Sequence, residues 1–266
     1  MSRWIVTHVP SGLILMCVMV IVAGGAVLVS MFVRRRFTAL TRDEHNDVLK
    51  FTYGFIGFIY AFFIGFVVSS MWGQINTTDA NARAEGATAV QLSTEASRFD
   101  TAEADRIRHD LIDYTSAAID EWNQGGNRSP AADAALANLY ATYDRMNPAT
   151  DRQKDLVTSG YANLDKLGQA RTVRLLTDRE DAGPPWPLWT VILLTSALVL
   201  GTAITYGVEK PRMHHPMVII VGLIVAANLF LIMELSHPYA GGLATTSDPL
   251  RAALRVLDPN CCTGQR

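Results

Sequence analysis

The sequence has few charged residues, and it has none over four long stretches. Asp, Glu, Lys and Arg make up 18% of the 266 residues, whereas soluble domains carry roughly 25%. The charge-free stretches cover residues 4–33, 51–78, 182–208 and 216–233. A soluble globule spreads its charges more evenly, and a disordered chain is poor in apolar residues. The composition therefore excludes both classes.

Cysteine is also scarce. Cys17 lies in an apolar stretch, and Cys261 and Cys262 are neighbours near the C-terminus. This spacing excludes a disulfide framework and a cysteine-based zinc site. Two adjacent cysteines close only a strained ring. We therefore expect Cys261 and Cys262 to be free or to form intermolecular bonds.

A basic excess and the common catalytic motifs are missing as well. The chain has 23 Lys and Arg against 25 Asp and Glu, a net charge of −2, so nothing points to a nucleic-acid partner. G-x-S-x-G, Walker A, H-E-x-x-H and G-x-G-x-x-G do not occur, which leaves no known catalytic signature. We expect no enzymatic activity, metal or cofactor, and a membrane enzyme is the least favoured alternative.

Four apolar segments are present instead, at about 11–33, 51–71, 188–206 and 216–235. Each is close to the ~20 residues that cross the hydrocarbon core of a bilayer as a helix. The first is longer than the ~7–15 residues of a signal-peptide core, and it ends in Arg34-Arg35-Arg36, so it is expected to remain as an anchor. The segments predict an all-α integral membrane protein with four transmembrane helices.

A helical insert is predicted between the second and third spans. It contains 12 Lys and Arg and 18 Asp and Glu. Its apolar residues recur at helical steps of three and four, as at Ile107, Leu111, Tyr114, Ala118 and Trp122. One helix should continue out of span two through residues 80–96, and the last should cover about 151–178. The predicted domains are a transmembrane hairpin (1–71), a helical-bundle insert (72–187), a second hairpin (188–236) and a C-terminal tail (237–266).

Lysine and arginine near span ends predict the topology. The loop after span one carries Arg34, Arg35, Arg36, Arg42 and Lys50, whereas the N-terminal tail carries only Arg3. This asymmetry places the insert and both termini outside the cytoplasm. The opposite sidedness stays open, because basic residues also precede span three on the insert side: Lys166, Arg171, Arg174 and Arg179.

Span two carries two distinct helical faces. One is aromatic and consists of Phe51, Phe55, Phe58, Phe62 and Phe66. The other has small residues at steps of four, Gly57, Ala61 and Gly65, which suits close helix packing in lipid. The aromatic face has two interpretations, contact with lipid or neighbouring helices, and an apolar constriction that gates a pore by dewetting.

Ionisable residues are nearly absent from the spans, which argues against an ion-coupled transporter. Glu234 lies close to the end of span four and is interpreted as an interfacial carboxylate. Passive conduction, or no conduction, remains compatible with such spans.

An ordered series of residues resembles the bacterial bestrophin-like family, a family of unknown function. It covers His45 to about Leu254, and the residues that carry the resemblance are His45, Asn46, Glu85, Glu121, Trp122, Arg171, Arg174, Pro238 and Gly241. The resemblance implies four spans with a helical insert. Bestrophins are pentameric anion channels with a constriction on their second membrane helix, which implies a homo-oligomer in the bilayer, chloride or a similar anion as cargo, and Phe55, Phe58, Phe62 and Phe66 as pore-lining residues. It also implies a cytosolic insert, contrary to the charge rule.

Two functions follow. The first is an oligomeric anion channel with span two lining the pore. The alternative is a membrane-anchored sensor or scaffold, whose extracytoplasmic bundle binds a partner or small ligand.

Overall fold

The computed structural model describes residues 9–36, 46–124, 128–179, 183–205, 211–239 and 241–258. These residues form eight α-helices and no strand. The helices are α1 (Ser11–Arg36), α2 (Asn46–Ala96), α3 (Thr101–Asn123), α4 (Pro130–Asp144), α5 (Asp151–Arg179), α6 (Trp186–Thr205), α7 (Pro211–Leu235) and α8 (Asp248–Leu257). By length and composition, α1, α2, α6 and α7 can cross a membrane. The predicted all-α membrane fold is confirmed.

The chain divides into two compact units. The membrane unit comprises Met1–Gln74 and Ala182–Ala244, and the bundle unit comprises Ile75–Asp181 and Thr245–Arg266. Helix α2 supplies residues to both units, because its 51 residues continue beyond the second span. The domain boundaries given above stay predictions.

In the membrane unit, α1 packs against α6 and α7, and α6 packs against α7. Small residues allow this approach, since a Cβ added at Gly222 of α7 would lie 2.8 Å from the Cα of Ala23 in α1. Isolated hydrogen bonds add to it. The hydroxyls of Tyr60 and Ser196 are 3.3 Å apart, and Ser30 Oγ lies 3.0 Å from His214 Nε2.

In the bundle unit, α3 packs against α4 and α8, and α4 packs against α5. The periodicity of α3 is realised in its core, where Ile107, Leu111, Tyr114 and Ala118 are fully buried. Helix α4 begins at Pro130, which fits a first helical position because proline lacks the amide hydrogen. Helix α5 covers Asp151–Arg179, within one residue of the predicted end.

Helix α8 lies in the C-terminal residues to which the sequence analysis assigned no structure. It buries Leu250, Ala253, Leu254 and Leu257 on one face, and this face joins the core of the bundle unit. Gly86 of α2 is needed beside it, because a Cβ at that position would lie 2.8 Å from the carbonyl oxygen of Pro249.

Candidate functional site

Helix α2 presents opposite faces to the inside and the outside of the membrane unit. Tyr60, Ile64, Val67 and Met71 recur at steps of four, three and four and are buried. The five phenylalanines, here called the Phe stripe, are Phe51, Phe55, Phe58, Phe62 and Phe66. Their exposed fractions range from 57% to 79%. The Phe stripe is therefore largely uncovered by the rest of the chain, although Phe66 borders a cleft that it shares with Pro184 and Leu188.

The Phe stripe continues along α2 as small and polar residues. Ser69, Gly73 and Asn76 follow Phe66 at steps of three, four and three, and all three are exposed. Residues at these steps share one helix face. One face of α2 thus changes from aromatic to uncharged polar without a carboxylate or a basic group. The aromatic face was predicted only as far as Phe66, although the same spacing extends it to Ser69, Gly73 and Asn76.

The small-residue face of α2 makes no close helix contact within the described part of the chain. Ala61 and Gly65 are exposed and Gly57 is partly exposed, and a Cβ added at either glycine would meet no atom within 4 Å. These residues do not mediate the close helix approach that occurs at Gly222.

A second group of predicted residues converges inside the bundle unit. Arg174 of α5 donates from Nε to Oε2 of Glu85 over 2.9 Å and from Nη2 to Oε1 over 3.1 Å. The hydroxyl of Tyr114 donates to Glu85 Oε1 over 2.8 Å. The guanidinium carbon of Arg174 lies 5.3 Å from the ring centroid of Trp122, within the range of a cation–π contact. Glu85 is therefore held by two donors from two helices.

Glu121 of α3 links this pair to a second arginine. Its Oε2 accepts from Arg174 Nη2 over 3.0 Å, and its Oε1 accepts from Arg171 Nη2 over 2.7 Å. Arg171 also donates from Nη1 to Asp133 of α4 over 2.8 Å. We call Glu85, Glu121, Arg171 and Arg174 the buried ion network. Its members come from α2, α3 and α5, and Asp133 adds α4.

Within the network, hydrogen bonds between opposite charges offset the effect of burial on the pKa of Glu121 and Arg174. Burial alone would raise the pKa of Glu121, but hydrogen bonds from Arg171 and from the Ser129 amide outweigh burial and lower it. Burial would likewise lower the pKa of Arg174, but interactions with acidic groups, first of all Glu85, outweigh burial and raise it. The pKa of Tyr114 lies well above its ordinary value, first because of burial and then because of Glu85. The network thus pairs two carboxyl groups with two guanidiniums, so that their formal charges cancel.

This arrangement is suited to fixing helix positions rather than to chemistry. Buried charges are costly unless they are paired and hydrogen-bonded, and here each charged group contacts at least one partner of opposite charge. Sequence reasoning missed the roles of Asp133 and Arg128, which pair over 2.8 Å at the rim. No sequence spacing connects these residues to Arg171.

The remaining predicted residues lie elsewhere. His45 is outside the described residues, as are Cys261 and Cys262, and α2 begins at Asn46. Pro238 is buried in the turns after α7, and Gly241 has a φ of 106°, which only glycine adopts readily. Glu234 is buried near the end of α7, and its Oε2 accepts the amide of Gly242 over 2.9 Å; its interfacial position stays a prediction.

Comparisons with known proteins agree with this fold. The family profile of the Bestrophin-like domain matches residues 20–250. Two crystal structures of a bacterial bestrophin homologue from Klebsiella pneumoniae, each with one substitution, are similar to this chain. The first has a TM-score of 0.67 at 10% identity and covers 91% of this chain and 98% of its own. The second has a TM-score of 0.64 at 13% identity, with 92% and 96% covered.

At these identities the two structures show a shared fold and nothing finer. No curated protein sequence matches the chain. The profile, in contrast, spans most of the sequence and confirms the predicted resemblance. The protein therefore belongs to the Bestrophin-like family.

Proposed function

We propose that the protein is a subunit of an oligomeric anion channel of the cell membrane and that helix α2 lines its pore. Membership of the Bestrophin-like family supports a channel-like function at the level of the family. The observation that carries the proposal is the exposed Phe stripe with its polar continuation at Ser69, Gly73 and Asn76. A pore needs an apolar constriction and a wet entrance. The Phe stripe would supply the constriction, and Ser69, Gly73 and Asn76, at and beyond the predicted end of span two, would supply the entrance.

The chemistry of this face favours anions. Cation-selective pores are commonly built from rings of Asp or Glu, and α2 has no carboxylate between residues 51 and 78. The edges of phenyl rings carry a positive partial charge because of the ring quadrupole. Ring edges that point to the pore axis would stabilise a partly dehydrated halide.

Halide flux into proteoliposomes tests the proposal. The wild-type protein should conduct chloride, and Phe62→Ala should change the flux several-fold because it widens the constriction. Phe32→Ala is the matched control, since Phe32 is equally exposed but lies on α1, and its flux should equal that of the wild type. Absence of flux from folded protein, or equal effects of both substitutions, would contradict the proposed pore.

The oligomer and the sidedness need separate measurements. The pore requires several copies of α2 around one axis, so cross-linking in native membranes should give a closed oligomer, and a monomer would contradict the proposal. The arginine run at the end of α1 supports an extracytoplasmic insert. Ser97→Cys in a background without the native cysteines should then react with a membrane-impermeant maleimide on intact cells. Labelling only after lysis would reverse the topology.

A further inference from the structure

A cluster of basic side chains lies where α1 ends and α7 begins, in the membrane unit. Ser30 and Arg34 are one helical turn apart on α1, and His214 and His215 are on α7. His214 is fully buried, and its Nε2 lies 3.0 Å from Ser30 Oγ. The two histidine rings are 6.0 Å apart between centroids. The same two helices approach each other closely about two turns away, at Gly222 and Ala23.

Several nitrogen atoms of this cluster are buried without a partner. Among the residues that the structure describes, nothing bonds to Nε or Nη2 of Arg34 or to Nδ1 of His214 and His215. If Nε2 of His214 accepts the proton of Ser30, Nδ1 carries the ring proton and is a donor. A buried donor with no acceptor costs free energy, and more so when it is charged. Arg34 and the Nδ1 of His214 are thus donors that lack a protein acceptor, and the Nδ1 of His215 is buried without a partner as well.

We propose that Arg34, His214 and His215 bind a phosphate group at the membrane interface. A phosphate offers several strong acceptor oxygens, and the guanidinium fork matches two of them. Arg34 lies in the last turn of α1, and His214 lies two residues before the fourth predicted span at about 216–235, so both are expected at the depth of lipid headgroups. Basic pockets between transmembrane helices bind anionic headgroups in this way. The phosphate can come from an anionic lipid or from free inorganic phosphate.

The test uses the delipidated full-length protein and its thermal unfolding midpoint. Phosphatidylglycerol, phosphatidylcholine with the same acyl chains, and inorganic phosphate are titrated separately to give apparent dissociation constants. Phosphatidylglycerol should bind roughly tenfold more tightly than phosphatidylcholine, and Arg34→Gln should lose most of that preference. Arg35→Gln is the matched control, because it removes the same charge from the exposed neighbouring side chain and should keep the preference.

The possible outcomes distinguish a lipid headgroup from inorganic phosphate as the ligand, and both from failure of the proposal. A preference for phosphatidylglycerol that needs Arg34 supports a headgroup site. Saturable binding of inorganic phosphate that needs Arg34, without a lipid preference, supports the same site with a soluble ligand. Equal losses in the Arg34→Gln and Arg35→Gln variants, or no effect of either ligand, overturn the proposal. If Arg34→Gln does not fold, His215→Gln decides: weaker phosphate binding supports the site, and unchanged binding overturns it.

Discussion

The membrane unit packs its helices through small residues and single hydrogen bonds, whereas the bundle unit buries two arginines and two glutamates in its core. The contrast follows from the surroundings of each unit. Lipid tails are as apolar as the side chains, so burying apolar surface drives little association there, and close backbone contact takes over. In water, burial of apolar surface supplies the stability, and a buried ion network adds fixed partners to it.

The two units also differ in what they leave exposed. The bundle unit covers the apolar stripes of its helices with α8 and with one another. The membrane unit leaves the Phe stripe of α2 uncovered. In a chain that crosses a bilayer such exposure suits lipid contact, and it equally suits the pore-lining role proposed above. The difference locates the buried ion network in the bundle unit and the Phe stripe, the apolar part of the proposed conducting surface, in the membrane unit.

The largest effect is expected from breaking the buried ion network. Arg174→Met leaves the fully buried Glu85 without its guanidinium, and losing one member of a buried pair costs about 3–5 kcal/mol. Arg83→Met is the control, because the pair with Asp79 is exposed and contributes about 0–1 kcal/mol. Denaturant titration followed by circular dichroism measures both. Similar losses for the two variants would show that the network is not a principal source of stability.

A substitution in the membrane unit should lower the free energy of unfolding by a smaller amount. Gly222→Ala forces a methyl group against the backbone of Ala23, and such overpacking costs about 1–3 kcal/mol. A methyl group at Gly201 of α6 would meet no atom within 4 Å, so Gly201→Ala should unfold at or above the wild-type midpoint. Thermal unfolding in one detergent compares the two. An unaltered midpoint for Gly222→Ala would refute the close contact of α1 with α7.

A matched pair of glycines probes packing in the bundle unit. A Cβ at Gly160 of α5 would overlap the ring of Tyr143, whereas one at Gly168 in the same helix would make ordinary contacts at 3.7 Å. Gly160→Ala should destabilise the protein, and Gly168→Ala should stabilise it by about 0.5–1 kcal/mol through helix propensity. Denaturant midpoints that move in the same direction would be inconsistent with this packing.

The smallest expected effect is on the stability of the protein at low pH. Burial would raise the pKa of Asp133, but hydrogen bonds from Arg128 and Arg171 outweigh it and lower the pKa in the folded protein. The stability that this aspartate contributes is present above its unfolded pKa of about 3.9 and is lost as the pH falls through the folded value. Asp133→Asn should therefore flatten the fall of the unfolding midpoint below about pH 4. Asp155→Asn, at an exposed position, should keep the wild-type profile, and identical profiles for all three proteins would refute the coupling.

The sequence was enough to predict the spans and most bundle helices, because charge-free windows and apolar steps are local patterns. Residues 107, 111, 114 and 118 are an example, since their spacing alone puts them in the core. The contacts within the buried ion network could not be predicted from local patterns. Glu85 and Arg174 are 89 residues apart, and one sequence carries no signal for such a pairing. The resemblance named both residues without saying that they touch. Helix α8 was missed because ten residues give too short a pattern.

The most direct test of the account compares two neighbouring serines on α2. Ser69 continues the Phe stripe, whereas Ser70 lies about a quarter-turn away and lines a cleft of about 210 Å³, which Phe66 borders and which extends to Phe63 and Pro184. Each is changed to cysteine after Cys17, Cys261 and Cys262 are replaced, and halide flux is recorded while a charged, membrane-impermeant thiol reagent is added. The account predicts that the reagent blocks flux through Ser69→Cys and leaves Ser70→Cys conducting. Block at Ser70→Cys alone, or flux unchanged in both, would contradict a pore lined by the Phe stripe and its polar continuation.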